Sequence, residues 1–143
     1  MIALLDVNVL LSLAWSNHAR HQAAHDWFAR NASSGWATCF LTHIGFLRLS
    51  LNPTVVGASM TAQGALALLS GLVVHPNHQF LDRAPTATAA PFDELIPKIT
   101  GHQQISDAAL LHLARCHGAK LVTFDQAMAV LCPWSGNLEV IVP

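Results

Sequence analysis

Three aspartates in this chain stand where carboxylates do chemistry. Asp6 ends the apolar run Ile2–Leu5, and Asp125 follows Leu121-Val122-Thr123-Phe124. Each run has the length and composition of a buried parallel strand. In parallel α/β sheets, ligands sit outside the carboxyl ends of the strands, so acids placed there face one another. Asp107 falls in the first turn of the helix expected over Ser106–His117, where the helix dipole tolerates negative charge. All three can therefore point into one crevice. Carboxylates that close repel, and one of them must have a raised pKa unless a cation joins them. A hard divalent ion, Mg2+ or Mn2+, takes oxygen ligands and keeps several waters. That arrangement suits phosphodiester hydrolysis, because such an ion activates a water and neutralises charge on phosphorus oxygens.

Each acid taken alone has a plainer reading. Asp107 can simply cap its helix, and Asp125 can start a short helix at Gln126. The plain reading is weakest for Asp6, because Val7–Leu11 is mostly apolar and partly buries the site. Asn8 either reaches a water in the crevice or holds the local turn. Arg48 can clamp a phosphate bidentately or pair with a site acid. His18, His21 and His25 share one helix face, which reads either as a polar rim or as a metal site; no carboxylate or cysteine is spaced with them. Trp27 is at core spacing, whereas Trp134 is the best placed of the tryptophans to be exposed and stack a base. A phosphoryl hydrolase of the haloacid-dehalogenase type would want D-x-D after the first strand, and Asp6-Val7-Asn8 does not supply it.

The elements that would position these residues alternate. Ile2–Leu5 reads as a strand and Val7–Trp15 as the helix leaving it. A second helix spans His21–Arg30, with Ala24, Trp27 and Phe28 on one face. Trp36–Phe40 is a second strand. Thr42 is the expected N-cap of a helix running to Leu51, stopped by Asn52-Pro53. Thr61 caps another helix that buries Ala65, Leu66, Leu68 and Leu69 and closes at Gly71, before a short strand at Leu72–His75. From Pro76 to Pro97 the chain is rich in proline and small residues, and reads as a surface loop with one short helix near Phe92–Ile96. Ser106 is the expected cap of the helix to His117, stopped by Gly118. Lys120–Thr123 is a strand, Gln126–Leu131 a brief helix, and Leu138–Val142 a final strand. The alternation predicts a single α/β domain over residues 1–143, layered around a mostly parallel sheet.

Composition narrows the classes. The chain has 143 residues, 52% hydrophobic and 10% charged, with a formal net charge of -1. It is too apolar to be disordered, and an apolar surface of that kind predicts a partner or self-association. No global basic field attracts nucleic acid, so phosphate attraction must be local or carried by a metal. Cys39, Cys116 and Cys132 are far apart and form no CxxC pair, which argues against a disulfide framework or a zinc site and suits buried or semi-buried thiols in a reducing cytosol. The opening MIALLDVNVLLSLAW is broken by Asp6 and Asn8 and lacks a basic start, a poor secretion signal. Ala65–Val74 is about half a bilayer span. A soluble cytoplasmic protein with no membrane partner is expected.

The motifs together resemble bacterial PIN-domain toxins of the VapC type. The opening LLDVNVLLSL is followed by His18-x-x-His21-x-x-Ala24-x-x-Trp27. TCFLTHIGFLRLSLNP at Thr38–Pro53 is similar to the second block of that family, and GHQQISDAALLHLARCHGAKLVTFDQAM at Gly101–Met128 to its third and fourth. These blocks cover well over half of the chain, in order. The resemblance implies a three-layer α/β/α sandwich, endoribonuclease activity dependent on Mg2+ or Mn2+, a cognate antitoxin and a homodimer. It matches Asp6, Asp107 and Asp125 to the metal-binding family acids, Thr123 to a residue lining the site, and Arg48 to an arginine near it. It also marks one departure. Where many members carry an acid after the second strand, His43 stands in this chain, which favours Mn2+ over Mg2+ and opens a second reading, a catalytically weak module that binds RNA or antitoxin. Glu94 is the one glutamate positioned to replace the missing acid.

Overall fold

In the computed structural model, which describes residues 1–143, five short strands form one sheet in the order β3-β2-β1-β4-β5, every neighbouring pair parallel. The strands are β1 (Ala3–Leu5), β2 (Trp36–Cys39), β3 (His78–Leu81), β4 (Lys120–Thr123) and β5 (Leu138–Val140). Between them run α1 (Val7–Ala14), α2 (His21–Asn31), α3 (Phe40–Ser50), α4 (Pro53–Val56), α5 (Ala62–Val73), α6 (Ile105–Cys116) and α7 (Met128–Leu131).

Strand side chains alternate between two faces, and here both faces are buried. Leu5, Trp36 and Val122 join Val9, Leu10, Trp27, Phe46 and Leu69 in a core under α1, α2, α3 and α5. Leu4, Ala37 and Leu121 join Leu95, Leu110, Leu111, Met128 and Leu131 on the other side, under α6 and α7. Two cores separated by a sheet make an α/β/α sandwich, as expected. The chain moves from β1 to β2 on one side and returns to β4 on the other, so the connection reverses between β1 and β4. That reversal point is where parallel sheets open a crevice at their carboxyl ends.

Several local expectations are corrected. α5 does not stop at Gly71 but continues to Val73, and the strand expected at Leu72–His75 is absent. Leu66 is exposed, because the buried stripe of α5 runs through Ala65 and Leu69. The true third strand lies at His78–Leu81, inside the stretch that reads as loop. As an edge strand it needs only one partner and keeps Gln79 and Phe80 exposed, so it carries no apolar run. The short helix expected near Phe92–Ile96 is two 3-10 turns, Phe92–Glu94 and Ile96–Lys98. Thr42 is not the first cap of α3. Cys39 occupies that place, and the Thr42 hydroxyl reaches back to accept the Cys39 backbone N–H at 3.0 Å. Ser106 likewise lies inside α6. A 3-10 turn at His102–Gln104 leads into the helix, held by Gln104 Oε1, which accepts from the Thr100 and Gly101 N–H groups. Gly118 ends α6 as expected, at φ +61°, a conformation open to glycine. Cys116 is exposed rather than semi-buried, and all three cysteines are free thiols. No helix is long and apolar enough to cross a membrane.

Candidate active site

The ends of β1 and β4 are stitched together by side chains. Asp6 follows β1 and caps α1, its Oδ1 accepting from Val7 N–H at 2.7 Å. Its other oxygen accepts from the Thr123 hydroxyl at 2.7 Å and from Asn8 Nδ2 at 3.4 Å. Thr123 Oγ1 in turn accepts from Asn8 Nδ2 and from Asp125 N–H, each at 3.0 Å. Asn8 closes the circuit by accepting from Phe124 N–H at 3.2 Å. Asp6 and Thr123 are buried, whereas Asp125 is exposed and turns its Oδ1 to the Ala127 N–H at 2.9 Å, opening the turn into α7. Asn8 and Asp125 therefore do keep the turn-holding and helix-starting roles open to them as single residues.

Asp107 approaches from the other side, in the first turn of α6. It is half-buried and accepts no hydrogen bond from the chain. Burial pushes its carboxyl up to about 6, and the charges of Asp6 and then Asp125 add to the rise. Burial also raises the Asp6 carboxyl; the Thr123 and Val7 hydrogen bonds oppose that rise, and the Asp125 charge reinforces it. Asp6 and Asp107 line one cavity of about 280 Å³ with Ser106 and, from α3, Leu41, Ile44, Gly45, Arg48 and Leu49. Asp125 lies outside this lining but within electrostatic reach of both acids. The Arg48 guanidinium makes no ion pair; the one ion pair of the chain joins Lys120 to Glu139.

No three His, Cys, Asp or Glu side chains converge into a preformed metal cage. What the cavity offers is two carboxylates, one of them free of hydrogen bonds, with oxygen as the only donor element. That set fits a hydrated hard cation, which binds through one or two carboxylates and keeps its remaining waters.

A family model of the PIN domain matches residues 3–132. The chain belongs to the PIN-domain family. Among its PIN-domain relatives, ribonuclease VapC38 of Mycobacterium tuberculosis is 42% identical over 130 residues, covering 91% of this chain and 89% of that protein. Ribonuclease VapC39 of the same organism is 40% identical, covering 90% and 92%. Ribonuclease VapC29 is 32% identical over 143 residues, covering 100% and 98%. Two solved structures share the fold: VapBC2 from Rickettsia felis bound to a DNA fragment from its promoter (TM-score 0.67, 17% identity, 98% of each chain), and M. tuberculosis VapC20, a sarcin-ricin loop cleaving toxin (TM-score 0.60, 14% identity, 89% of this chain and 92% of that one).

Within this PIN domain, several residues singled out by sequence lie elsewhere. His43 does not face the acids. Its Nε2 is 2.7 Å from the Thr38 hydroxyl, which also meets His78 Nε2 at 2.7 Å, and its ring packs on Phe80 at 5.1 Å. His43 lies on the side of α3 that meets β3, whereas Gly45 and Arg48 lie on the side that meets the cavity. A side chain on Gly45 has no room, since a Cβ there would meet Val7 Cγ2 at 2.6 Å. Glu94 is spent on the Trp134 indole N–H at 2.8 Å, so it replaces no acid. Trp134 is buried rather than exposed, with Arg115 over its ring at 5.4 Å. His21 and His25 each meet a backbone carbonyl of α1, and His18 meets the Ser12 hydroxyl, so the three do not form a metal site. Sequence reasoning missed Gly45. Its only signal is a glycine inside a helical apolar pattern, which often marks a close approach.

Proposed function

We propose that this chain, acting as a single PIN domain, is the toxin of a VapBC-type toxin–antitoxin pair, an endoribonuclease dependent on a divalent cation. The observation that carries this reading is the cavity at the β1/β4 reversal, where Asp6 and Asp107 share one space with an unpaired Arg48. The relatives named ribonuclease over nearly the whole chain support it.

In this reading Asp6, Asp107 and Asp125 would hold the cation, Mg2+ or Mn2+. When bound, the cation supplies charge neutralisation at the scissile phosphate and a more acidic water. Thr123 and Asn8 fix the Asp6 carboxylate and keep its oxygens aimed at the crevice. Arg48 binds the phosphate, its forked N–H groups matching two phosphate oxygens. Binding of RNA is sequence-independent at these phosphate contacts. His43 has no part in the reaction.

The partner expected from composition also has a place. Phe40, Leu41, Phe80 and Ile105 are exposed around an apolar cavity of about 330 Å³. Leu41 lines this cavity and the acidic one, so an antitoxin seated there also covers the acids. A homodimer and a cytoplasmic location belong to the same reading.

The test is cleavage of a panel of tRNA, rRNA and mRNA fragments with Mn2+ and with Mg2+, comparing the parent with Asp6→Ala. Equal activity of the two proteins removes the proposal. A second reading has one observation in its favour: α3 presents Gly45 and Arg48, and no acid, to the cavity. On that reading the chain binds RNA or antitoxin with little turnover, and metal-dependent cleavage by the parent excludes it.

A further inference from the structure

The chain has seven Lys and Arg residues, and the fold engages two of them with other partners. Lys120 pairs with Glu139 on the sheet. Arg115 donates to Asn137 and covers Trp134. Arg30 stands in the last turn of α2, at the opposite end of that helix from His21. Arg83 and Lys98 belong to the connection between β3 and α6. Arg48 lines the acidic cavity. The remaining cation, Arg20, lies just before α2 and reaches across to the end of β4. Its Nη1 donates to Phe124 O at 3.3 Å, and its guanidinium lies over the Phe124 ring at 5.0 Å. Phe124 is joined to Asn8 through its N–H and is followed directly by Asp125.

Arg20 is thus tied to the backbone of the site but is not consumed by that tie. A guanidinium carries five N–H donors, and one is used here, while the residue remains exposed. Stacking on Phe124 and the bond to its carbonyl hold the head in place, which lowers the entropy lost when it binds an anion. Along the sheet, Arg48 belongs to the helix that follows β2, Asp6 follows β1, and Arg20 sits against β4, three adjacent strands in the order β2-β1-β4. Asp6, at the end of β1, therefore lies between the strand ends that carry the two cations. In a chain with a net charge of -1, these two positions are the local attraction that an RNA backbone needs near the acids.

We infer that Arg20 binds a backbone phosphate of the RNA flanking the scissile one, so that the strand crosses the carboxyl edge of the sheet from Arg48 to Arg20. This rests on the ribonuclease reading above. The experiment uses the RNA of the panel that the parent cleaves, with Mn2+, and compares the parent, Arg20→Met and Arg20→Lys over a range of salt concentrations. Arg20→Met keeps the stem over Phe124 and loses the charge; KM should rise several-fold with kcat held, and the salt slope of log KM should fall by about 0.7. Arg20→Lys keeps the charge but loses the fork, and should lie close to the parent in salt slope. Parental KM and salt slope in Arg20→Met overturn the inference and leave the ribonuclease reading standing. Equal losses of kcat and thermal stability in both variants also overturn it, because Arg20 then acts only as a brace for Phe124. A parent no more active than Asp6→Ala sinks both.

Discussion

The Thr123 hydroxyl donates to the buried Asp6 carboxylate at 2.7 Å and thereby joins the carboxyl ends of β4 and β1. The same oxygen accepts from Asn8 and from Asp125 N–H. Replacing it by a methyl leaves a buried carboxylate short of a donor and two N–H groups short of an acceptor. Thr123→Val should cost about 1.5–3 kcal/mol, the range for hydrogen bonds to charged groups, and RNA cleavage should fall with it. Thr123→Ser should keep most of both. Urea unfolding checks this; equal midpoints for the two variants would show that the bond contributes nothing.

Asp107 ionises at about 6 in the folded chain against an ordinary value of 3.8. Its folded-state pKa is raised, so its contribution to stability is complete below about 3.8 and is lost as pH rises through about 6. Asp107→Asn should therefore stabilise the metal-free protein at pH 7.5 and leave it unchanged at pH 3.5. After screening at a half-exposed group, and allowing for the favourable dipole at the start of α6, the gain is about 1 kcal/mol. Thermal melts in EDTA at the two pH values read it as a shift of about 3 °C.

The same carboxyl links metal binding to pH. A cation at Asp6 and Asp107 must displace the Asp107 proton, and any proton held by the raised Asp6 carboxyl, so apparent affinity should fall by at least about tenfold per unit as pH drops below about 6. Calorimetric titration with MnCl2 at several pH values measures this. A pH-independent affinity, or one unaffected by Asp107→Asn, would place the ion elsewhere.

Gly45 sits where α3 passes Val7, one residue from Asp6. Gly45→Ala gains about 1 kcal/mol of helix propensity. Against that stands a Cβ 2.6 Å from Val7 Cγ2, on a side chain with few alternative rotamers. Overpacking of this kind costs about 1–3 kcal/mol, so the variant should be no more stable than the parent, and its RNA cleavage should be lower because Val7 shifts beside Asp6. An alanine variant more stable than the parent and equally active would show that the approach is not tight.

His43 tests the relocation of a residue that sequence placed near the acids. His43→Phe keeps a ring against Phe80, and His78 still meets the Thr38 hydroxyl. RNA cleavage and Mn2+ affinity should equal those of the parent. A loss of activity without a loss of folding would return His43 to the site.

Much of the fold is legible in the residues because burial writes a local pattern. Leu121-Val122-Thr123, buried on both sides, is an unbroken apolar strand, and Lys120–Thr123 is bounded as expected. Leu110, Leu111, Leu113 and Ala114 give α6 its stripe, all buried. β3 was hidden for the opposite reason. An edge strand bonded on one side alone needs no apolar run, and its register depends on β2, 42 residues earlier.

Residue types and their order settled that Asp6 and Asp125 end strands and that Asp107 starts a helix, since strand and helix boundaries are local events. Only the packed chain decided which of them share a cavity, because that depends on strand order and on helix placement across the sheet. It moved Asp125 outside the lining, turned His43 toward Thr38 and Phe80, and set Gly45 and Arg48 before the acids. A helix shows different residues to each neighbour, and which face meets the crevice is fixed by contacts with residues far away along the chain.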